Sequence, residues 1–277
     1  MHLRPLGSTG LLVSPIGLGT VKLGRTAGLK HAGAGTPGKP PTLPTDDEAL
    51  ALLAAARDLG VNLIDTAPAY GTSEERLGAL LPRVAPRDRW VICTKAGEEF
   101  DPIGGTDGRG GSRYDFSPAT VRASVERSLT RLRTDRLDIA LLHFAGSLGH
   151  DEPTLRDGAA LGELQRLKAE GKVRAVGAST GTAAGAMLAA ACCDVLMLTI
   201  NREHTADLPA AALAGQRGVG VLVKKALGSG RLGATAADAK DAIRFACGQP
   251  GVSSVVIGAT NARHLRDAAG AAAEAGS

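Results

Sequence analysis

Four polar residues stand where short apolar runs of the sequence give way to loops. Asp65 ends the run NLID, Tyr70 follows it in TAPAY, Lys95 ends WVICTK and His143 ends DIALLH. Each has an ordinary explanation by itself, since a lysine at a strand end is usually solvated and a lone histidine is more often structural than catalytic. As a set they supply a carboxylate, a phenol, an amine and an imidazole, which are the groups that move protons in enzymes.

The chemistry open to this set is protonation of a substrate oxygen by Tyr70. A phenol has an unperturbed pKa of about 10, so a tyrosine that gives up its proton near neutrality needs a cation beside the phenolate. Lys95 can supply that charge. Asp65 can hold and balance Lys95 by ion pairing in a cavity of low dielectric. His143 would complete the set by donating a hydrogen bond to the substrate oxygen.

The elements that must position these residues follow a regular order. From residue 45 onward, short β-rich runs alternate with Ala/Leu-rich helical segments, which is typical of βα units on a parallel sheet. Eight such units predict the α/β class and a (β/α)8 TIM barrel, in which all strand ends meet at one cavity. The strands are expected at Pro15–Gly19, Asn62–Asp65, Trp90–Lys95, Leu137–His143, Val173–Ser179, Val195–Ile200, Val219–Lys224 and Ser254–Gly258.

Two features outside the alternation can be placed as well. The segment around Ser8-Thr9-Gly10 predicts an N-terminal β-hairpin that plugs the N-terminal end of the barrel. Helix starts are indicated by a capping box of Thr45 with Glu48, by Ser73 before EERLGALL, and by Ser117 followed by a first-turn proline.

Two Gly/Pro-rich stretches are too long for ordinary connections. The length of 277 residues is typical of one barrel, so we expect a single domain over residues 1–277 with loop insertions at 24–44 and 97–117 at the C-terminal mouth. The first insertion could equally be a segment without a role. The second is expected to be a substrate loop, and Phe100 and Phe144 are the expected substrate contacts.

Together these segments resemble the aldo-keto reductase family over nearly the whole chain. DTAPAYGTSEERLG is similar to the family segment that carries the Asp and Tyr, ICTK to the strand with its Lys, and LLH to the strand with its His. The resemblance implies a barrel that binds NADP(H) and transfers hydride to or from the substrate carbon while Tyr70 moves the proton. Asp65, Tyr70, Lys95 and His143 are then the catalytic set.

The resemblance also implies where the cofactor binds. GLGT at residues 17–20 is similar to the strand end under the nicotinamide, KVRAVGAST to the fifth strand, KKALGSGRL to the loop after the seventh, and VVIGATNARHL to the eighth strand and its helix. Loops after strands seven and eight can bind phosphate through helix N-termini. Cofactor contacts are expected at Gly19, Thr20, Asp65, Ser179, Thr180, Asn201, Lys224, Lys225, Leu227, Ser229, Gly230, Leu232, Gly258, Thr260, Asn261 and His264.

The chain departs from the family pattern around the nicotinamide. The Ser-Asn pair after the fifth strand reads Ser179-Thr180, and the glutamine of the sixth strand is replaced by Met197, for which Asn201 could compensate. The lysine that many members place beside the 2′-phosphate is absent. NADP(H) is the expected cofactor, through Arg263, His264 and a helix N-terminus, and NAD(H) is not excluded.

Composition excludes several other classes. The net charge is +4 with no block of consecutive basic residues, so no nucleic-acid partner is expected. No apolar stretch approaches the roughly 20 residues of a membrane span, and a cytoplasmic protein is expected. The four cysteines lack metal-site spacing, so we expect buried thiols and no metal. A small carbonyl or alcohol substrate and a monomer or small homo-oligomer complete the expectation.

Two other functions remain open at the level of sequence. The altered carboxamide contacts would also suit a catalytically weak protein that binds or senses NADP(H). A barrel isomerase or lyase acting on a phosphorylated compound is the second alternative, in which Lys95 would be a Schiff-base or general-base residue.

Overall fold

The chain forms a closed barrel of eight parallel strands preceded by a short hairpin, which confirms the predicted (β/α)8 architecture. The structure is a computed structural model and describes residues 1–26, 42–101, 103, 111–144, 148–228 and 235–275. The strands are β1 (Arg4–Pro5), β2 (Leu12–Val13), β3 (Ile16–Gly19), β4 (Leu63–Asp65), β5 (Val91–Ala96), β6 (Glu98–Asp101), β7 (Gly111–Tyr114), β8 (Leu137–His143), β9 (Val173–Ser179), β10 (Val195–Thr199), β11 (Gly220–Lys224) and β12 (Val252–Ile257).

Each barrel strand pairs with the next in the chain, and β12 closes the ring by pairing with β3. The helices in the described ranges are α1 (Val21–Gly24), α2 (Asp46–Asp58), α3 (Ser73–Val84), α4 (Pro118–Leu132), α5 (Asp151–Asp157), α6 (Ala159–Ala169), α7 (Ala183–Cys192), α8 (Leu208–Gln216), α9 (Ala236–Cys247) and α10 (Ala262–Glu274). Two 3-10 turns cover Pro68–Tyr70 and Arg87–Arg89.

Two of the three predicted caps are confirmed. Thr45 and Glu48 form a reciprocal capping box on α2, and Ser117 caps α4 ahead of its first-turn proline. Ser73 does not cap α3: the cap position is Thr72, and the buried Ser73 hydroxyl donates instead to the carbonyl of Thr20. Ser73 therefore ties α3 to the end of β3.

Apolar side chains form two cores, separated by the strands. One lies inside the barrel and includes Leu63, Ile139 and Met197; the other lies between the strands and the helices. Leu6, Leu11 and Val13 belong to the inner core, so the β1–β2 hairpin fills the N-terminal end of the barrel as the sequence predicts.

The two predicted insertions contain more regular structure than expected. Residues 97–117 include an antiparallel hairpin, with Glu98 opposite Tyr114 and Phe100 opposite Ser112. In the 24–44 stretch, Gly24 ends α1 and Arg25 is buried. Residues 27–41 and 104–110 lie outside the described residues.

The cysteines differ from expectation at one position. All four are free, and Cys93, Cys193 and Cys247 are buried, but Cys192 is exposed at the end of α7. Within the described ranges, every helix is too short or too polar to cross a membrane.

Candidate active site

Three of the four predicted catalytic residues meet in one hydrogen-bonded cluster. Lys95 Nζ donates to Asp65 Oδ1 at 2.6 Å, to the carbonyl of Thr66 at 2.8 Å and to Tyr70 Oη at 3.2 Å. Asp65 ends β4 and Lys95 is the penultimate residue of the neighbouring strand β5, and both are buried. The parallel strands place the acid and the amine at the same end of the barrel, and the 3-10 turn after β4 brings the phenol to them.

The backbone around Tyr70 is held from three sides. Pro68 begins the 3-10 turn that ends at Tyr70, and Gly71 follows with φ of 61°, a conformation that favours glycine. Gly24 passes so close that a Cβ there would lie 2.4 Å from the Tyr70 carbonyl oxygen. Thr20 donates from its hydroxyl to the Asp65 carbonyl at 2.9 Å. The end of β3 thus fixes the loop that carries Tyr70.

Burial sets the protonation states of this cluster. It raises the pKa of Tyr70, and this effect outweighs the Lys95 charge, which lowers it. Burial by itself would lower the pKa of Lys95, but the Asp65 carboxylate and Tyr70 raise it above its ordinary value. These directions favour a protonated Tyr70 and a charged Lys95 near neutral pH, so the phenol holds a proton to give.

His143 completes the cluster from the end of β8. Its ring lies edge-on to the Tyr70 ring, with the centroids 6.1 Å apart. Nδ1 of His143 is 2.8 Å from Glu98 Oε2. This contact leaves Nε2 as the ring nitrogen for a substrate.

Glu98 and Arg25 are site residues that the sequence reasoning missed. Glu98 accepts hydrogen bonds from Ser112 and Tyr114 and lies 3.6 Å from Arg25. Arg25 donates to the carbonyl of Ala69 at 2.8 Å. The available signal was an acidic residue directly after the Lys95 strand, within a stretch that we interpreted as loop.

Three of the residues expected around the nicotinamide are joined by hydrogen bonds to one another. Lys224 Nζ donates to Ser179 Oγ at 2.8 Å and to the carbonyl of Thr180 at 2.7 Å. Burial, with the charges of Lys225 and Lys95, lowers the pKa of Lys224 to about 7. Thr180 Oγ1 is buried and has no hydrogen-bond partner among the described residues.

Asn201 has both polar atoms of its amide engaged. Its Nδ2 donates to the Lys225 carbonyl at 2.9 Å, and its Oδ1 accepts from the amide of Glu203 at 2.9 Å. Asn201 therefore holds the chain that follows β11.

The predicted phosphate contacts are exposed around the start of α10. Asn261 caps this helix by accepting from the amide of His264 at 2.9 Å. Gly258 is exposed, and a Cβ there would meet nothing within 4 Å. Thr260, Lys225 and His264 are exposed and Leu227 is half-buried, while Ser229, Gly230 and Leu232 lie outside the described residues.

The two predicted substrate residues have different surroundings. Phe100 is half-buried on β6, with the Arg25 guanidinium 5.4 Å from its ring centroid. Phe144 does not line the mouth. It is 2% exposed, belongs to the outer core and packs on Phe116. Side chains alternate across a strand, so the residue after His143 faces the helices.

Comparison with known proteins agrees with this architecture. The sequence profile of the aldo/keto reductase family matches residues 15–241. The chain belongs to the aldo/keto reductase family. A crystal structure of a candidate aldo-keto reductase from Pseudomonas aeruginosa superimposes with a TM-score of 0.84 and 44% identity, covering 99% of this chain and 95% of that one.

Curated relatives of this aldo-keto reductase match over shorter stretches. D-threo-aldose 1-dehydrogenase from a Pseudomonas species is 37% identical over 153 residues, which is 48% of this chain and 44% of that protein. NADH-specific methylglyoxal reductase from Escherichia coli is 36% identical over 182 residues, which is 63% of this chain and 51% of that protein. The chain therefore spans about half the length of these relatives.

Proposed function

We propose that this aldo-keto reductase is an NADP(H)-dependent oxidoreductase that reduces an aldehyde or ketone to an alcohol, or runs the reverse reaction. The observation that carries the proposal is the buried Lys95, which donates to both Asp65 and Tyr70. Tyr70 is the proton donor, and Lys95, held by Asp65, stabilises the phenolate that remains. His143, whose ring lies edge-on to that of Tyr70, is the second group that contacts the substrate oxygen.

The C-terminal mouth of the barrel has polar and cationic groups that suit an anionic dinucleotide. Lys224 carries no ion pair to a carboxylate of the described residues, and Thr180 Oγ1 is buried without a partner among them. The exposed N-terminus of α10, beside the open space at Gly258, suits a phosphate because its amides point outward. When bound, such a cofactor supplies the hydride, and the chain binds and orients it.

The preference for NADP(H) depends on the residues that follow β12. Arg263 and His264 are exposed at the N-terminus of α10, where they can meet a 2′-phosphate with charge-assisted hydrogen bonds. One relative is named as NADH-specific, so NAD(H) stays the alternative cofactor.

The substrate is proposed to be a small carbonyl compound or alcohol. The relatives named above act on an aldose and on methylglyoxal. Aromatic residues make up 3% of the chain, which does not suit an aromatic-walled pocket for bulky substrates. A cytoplasmic location and a monomer or small homo-oligomer belong to the same proposal.

The isomerase or lyase alternative is disfavoured by the state of Lys95. A Schiff base forms from a neutral amine, but the Asp65 carboxylate raises the pKa of Lys95 and keeps it charged. The sensor alternative retains the same cofactor site and differs only in turnover.

The test combines a binding measurement with turnover. NADPH is titrated by fluorescence into the wild type and into Tyr70→Phe, and both are assayed on a panel of small aldehydes and ketones. We expect similar NADPH affinity in both proteins and a loss of about 100-fold or more in turnover for the variant, because the ring survives and the transferable proton does not. A variant with a tenth of wild-type turnover would refute the role of Tyr70; NADPH binding without turnover in the wild type would favour the sensor.

A further inference from the structure

Glu98 is the feature of the site that the proposed catalytic chemistry leaves unexplained. It is 7% exposed, it lies on β6 rather than on a barrel strand, and its carboxylate contacts His143, Ser112, Tyr114 and Arg25. A carboxylate so deeply buried is costly unless it is paired and hydrogen-bonded. The Glu98 carboxylate lies directly against His143, a residue of the candidate catalytic cluster.

The β6–β7 hairpin holds the Glu98 carboxylate in position. Gly97 has φ of 93°, which lets the chain turn away from the end of β5 immediately before Glu98. The hydroxyls of Ser112 and Tyr114, both from β7, donate to the same oxygen, Oε1, at 2.5 Å and 3.2 Å. The other oxygen, Oε2, lies at an ion-pair distance of 2.8 Å from His143 Nδ1.

Arg25 ties the same carboxylate to the Tyr70 loop. Its Nη1 lies 3.6 Å from Glu98 Oε1 and donates to the carbonyl of Ala69, the residue before Tyr70, at 2.8 Å. Its Nη2 donates to Ser112 Oγ at 3.0 Å. One guanidinium therefore holds the hairpin against the turn that carries the proton donor.

A carboxylate on Nδ1 decides how the imidazole can act. An ionised carboxylate is only an acceptor, so Nδ1 must carry a proton to bind it. A neutral His143 then has an unprotonated Nε2, which accepts hydrogen bonds and cannot donate to a carbonyl oxygen. Only the imidazolium, with both nitrogens protonated, can donate through Nε2.

We propose that Glu98 is a positioning residue that fixes the proton on Nδ1 of His143 and stabilises its imidazolium, so that a carbonyl substrate meets a charged Nε2–H donor. The inference rests on the proposed carbonyl reduction. In the reverse reaction, the neutral ring would accept the hydrogen bond of the alcohol.

The charges around the pair act in opposite directions. Burial, with the charges of Lys95 and Lys224, holds the pKa of His143 below its ordinary value, and the carboxylate of Glu98 opposes that shift without cancelling it. Burial alone would raise the pKa of Glu98, but His143, Ser112 and Arg25 outweigh it, so the carboxylate stays ionised. The charged and titratable groups that face His143 include Glu98 from β6, Lys95 from β5, Lys224 from β11 and Tyr70 from the 3-10 turn.

The first experiment compares pH profiles of kcat/KM for aldehyde reduction in the wild type, Glu98→Gln and Glu99→Gln. Glutamine keeps the shape of the side chain and removes the charge, so we expect the decline of activity at high pH to move to lower pH by about one unit or more. Glu99 is the matched control, since it precedes Phe100 on the same strand and pairs with Arg127 and Ser124 instead. An equal loss at every pH in Glu98→Gln would mean a merely structural role and would overturn the proposal.

The second experiment does not depend on turnover. Protein labelled with 15N in its histidine rings is titrated by NMR, with the His143 signals assigned from a His143→Gln variant. We expect neutral His143 to carry its proton on Nδ1 in the wild type, and its titration midpoint to fall in Glu98→Gln and recover in Glu98→Asp. A neutral ring protonated on Nε2, or identical midpoints in all three proteins, would overturn the proposal even if the reaction is the one proposed.

Discussion

At the scale of single residues, the buried pair of Lys95 and Asp65 organises the site. Lys95 is 1% exposed and Asp65 is 3% exposed, and the three hydrogen bonds of Lys95 Nζ use every proton of its ammonium group. Lys95 therefore holds the phenol of Tyr70, while the Asp65 carboxylate balances the charge of Lys95.

Replacement of Lys95 by methionine should abolish most of the activity. Without the cation, the burial that already raises the pKa of Tyr70 is no longer opposed, so we expect a loss of about 100-fold or more in kcat. The pH dependence of kcat should change with it, and an unchanged profile would contradict the coupling of Lys95 to Tyr70.

Stability must be separated from catalysis in this variant. Lys95→Met leaves Asp65 buried without its partner, which costs about 3–5 kcal/mol of unfolding free energy. The double variant Asp65→Asn with Lys95→Met removes both charges and should recover much of that stability but no activity. Denaturant unfolding of both variants, measured beside turnover, distinguishes the two effects.

At the scale of elements, two hairpins with different tasks are added to the barrel. The β6–β7 hairpin delivers Glu98 to His143. The β1–β2 hairpin contributes Leu6, Leu11 and Val13 to the inner core, and so covers the end of the barrel that faces away from the candidate site.

Adjacent leucines in the N-terminal hairpin provide a matched test of this covering role. Leu11 is 2% exposed and Leu12 is 53% exposed. Leu11→Ala should cost about 2–5 kcal/mol of unfolding free energy because it opens a cavity, and Leu12→Ala should change it by about 0.5 kcal/mol or less. Urea unfolding checks both, and equal effects would mean that the hairpin does not seal the barrel.

At the scale of the whole molecule, the C-terminal mouth of the barrel carries Lys224, whose amine can meet an anionic ligand when it is protonated. Lys224 reaches from β11 across β10 to Ser179 on β9, and Ser179 is in register with His143. Its pKa of about 7 means that its charge changes within the working range of most enzymes. An anion binds the protonated lysine preferentially, so affinity is highest below this pKa and is lost as the pH rises through it.

The expected result is a pH-dependent affinity for nicotinamide dinucleotides. Between about pH 6 and 8.5 the dissociation constants of NADPH and NADH should rise by roughly tenfold in the wild type, and this dependence should be absent in Lys224→Met. NADPH has a 2′-phosphate and NADH does not. A change in affinity that both cofactors show therefore cannot come from titration of that phosphate. Lys168→Met, which alters an exposed lysine paired with Asp194, is the control; a flat profile in the wild type would contradict the role of Lys224.

Much of this architecture was determined by local features of the sequence. β-rich runs such as Leu137–His143 and Val173–Ser179 alternate with helices and were predicted to the residue, because buried strands and helix caps depend on nearby residues. In a parallel barrel the carboxyl ends of all strands meet, so the order of Asp65, Tyr70, Lys95 and His143 along the chain was enough to predict their neighbourhood.

The remaining features depended on contacts between distant segments. Glu98 and Arg25 are far apart in the sequence and lie in stretches rich in glycine, so no local pattern links them; only the folded hairpin brings both to the Tyr70 loop. Ser73 was expected to be a cap and instead binds Thr20, 53 positions away. Lys224 hydrogen-bonds to Ser179 because barrel closure brings their strands to the same cavity. Phe144 packs in the outer core because the strand orientation turns its side chain toward the helices.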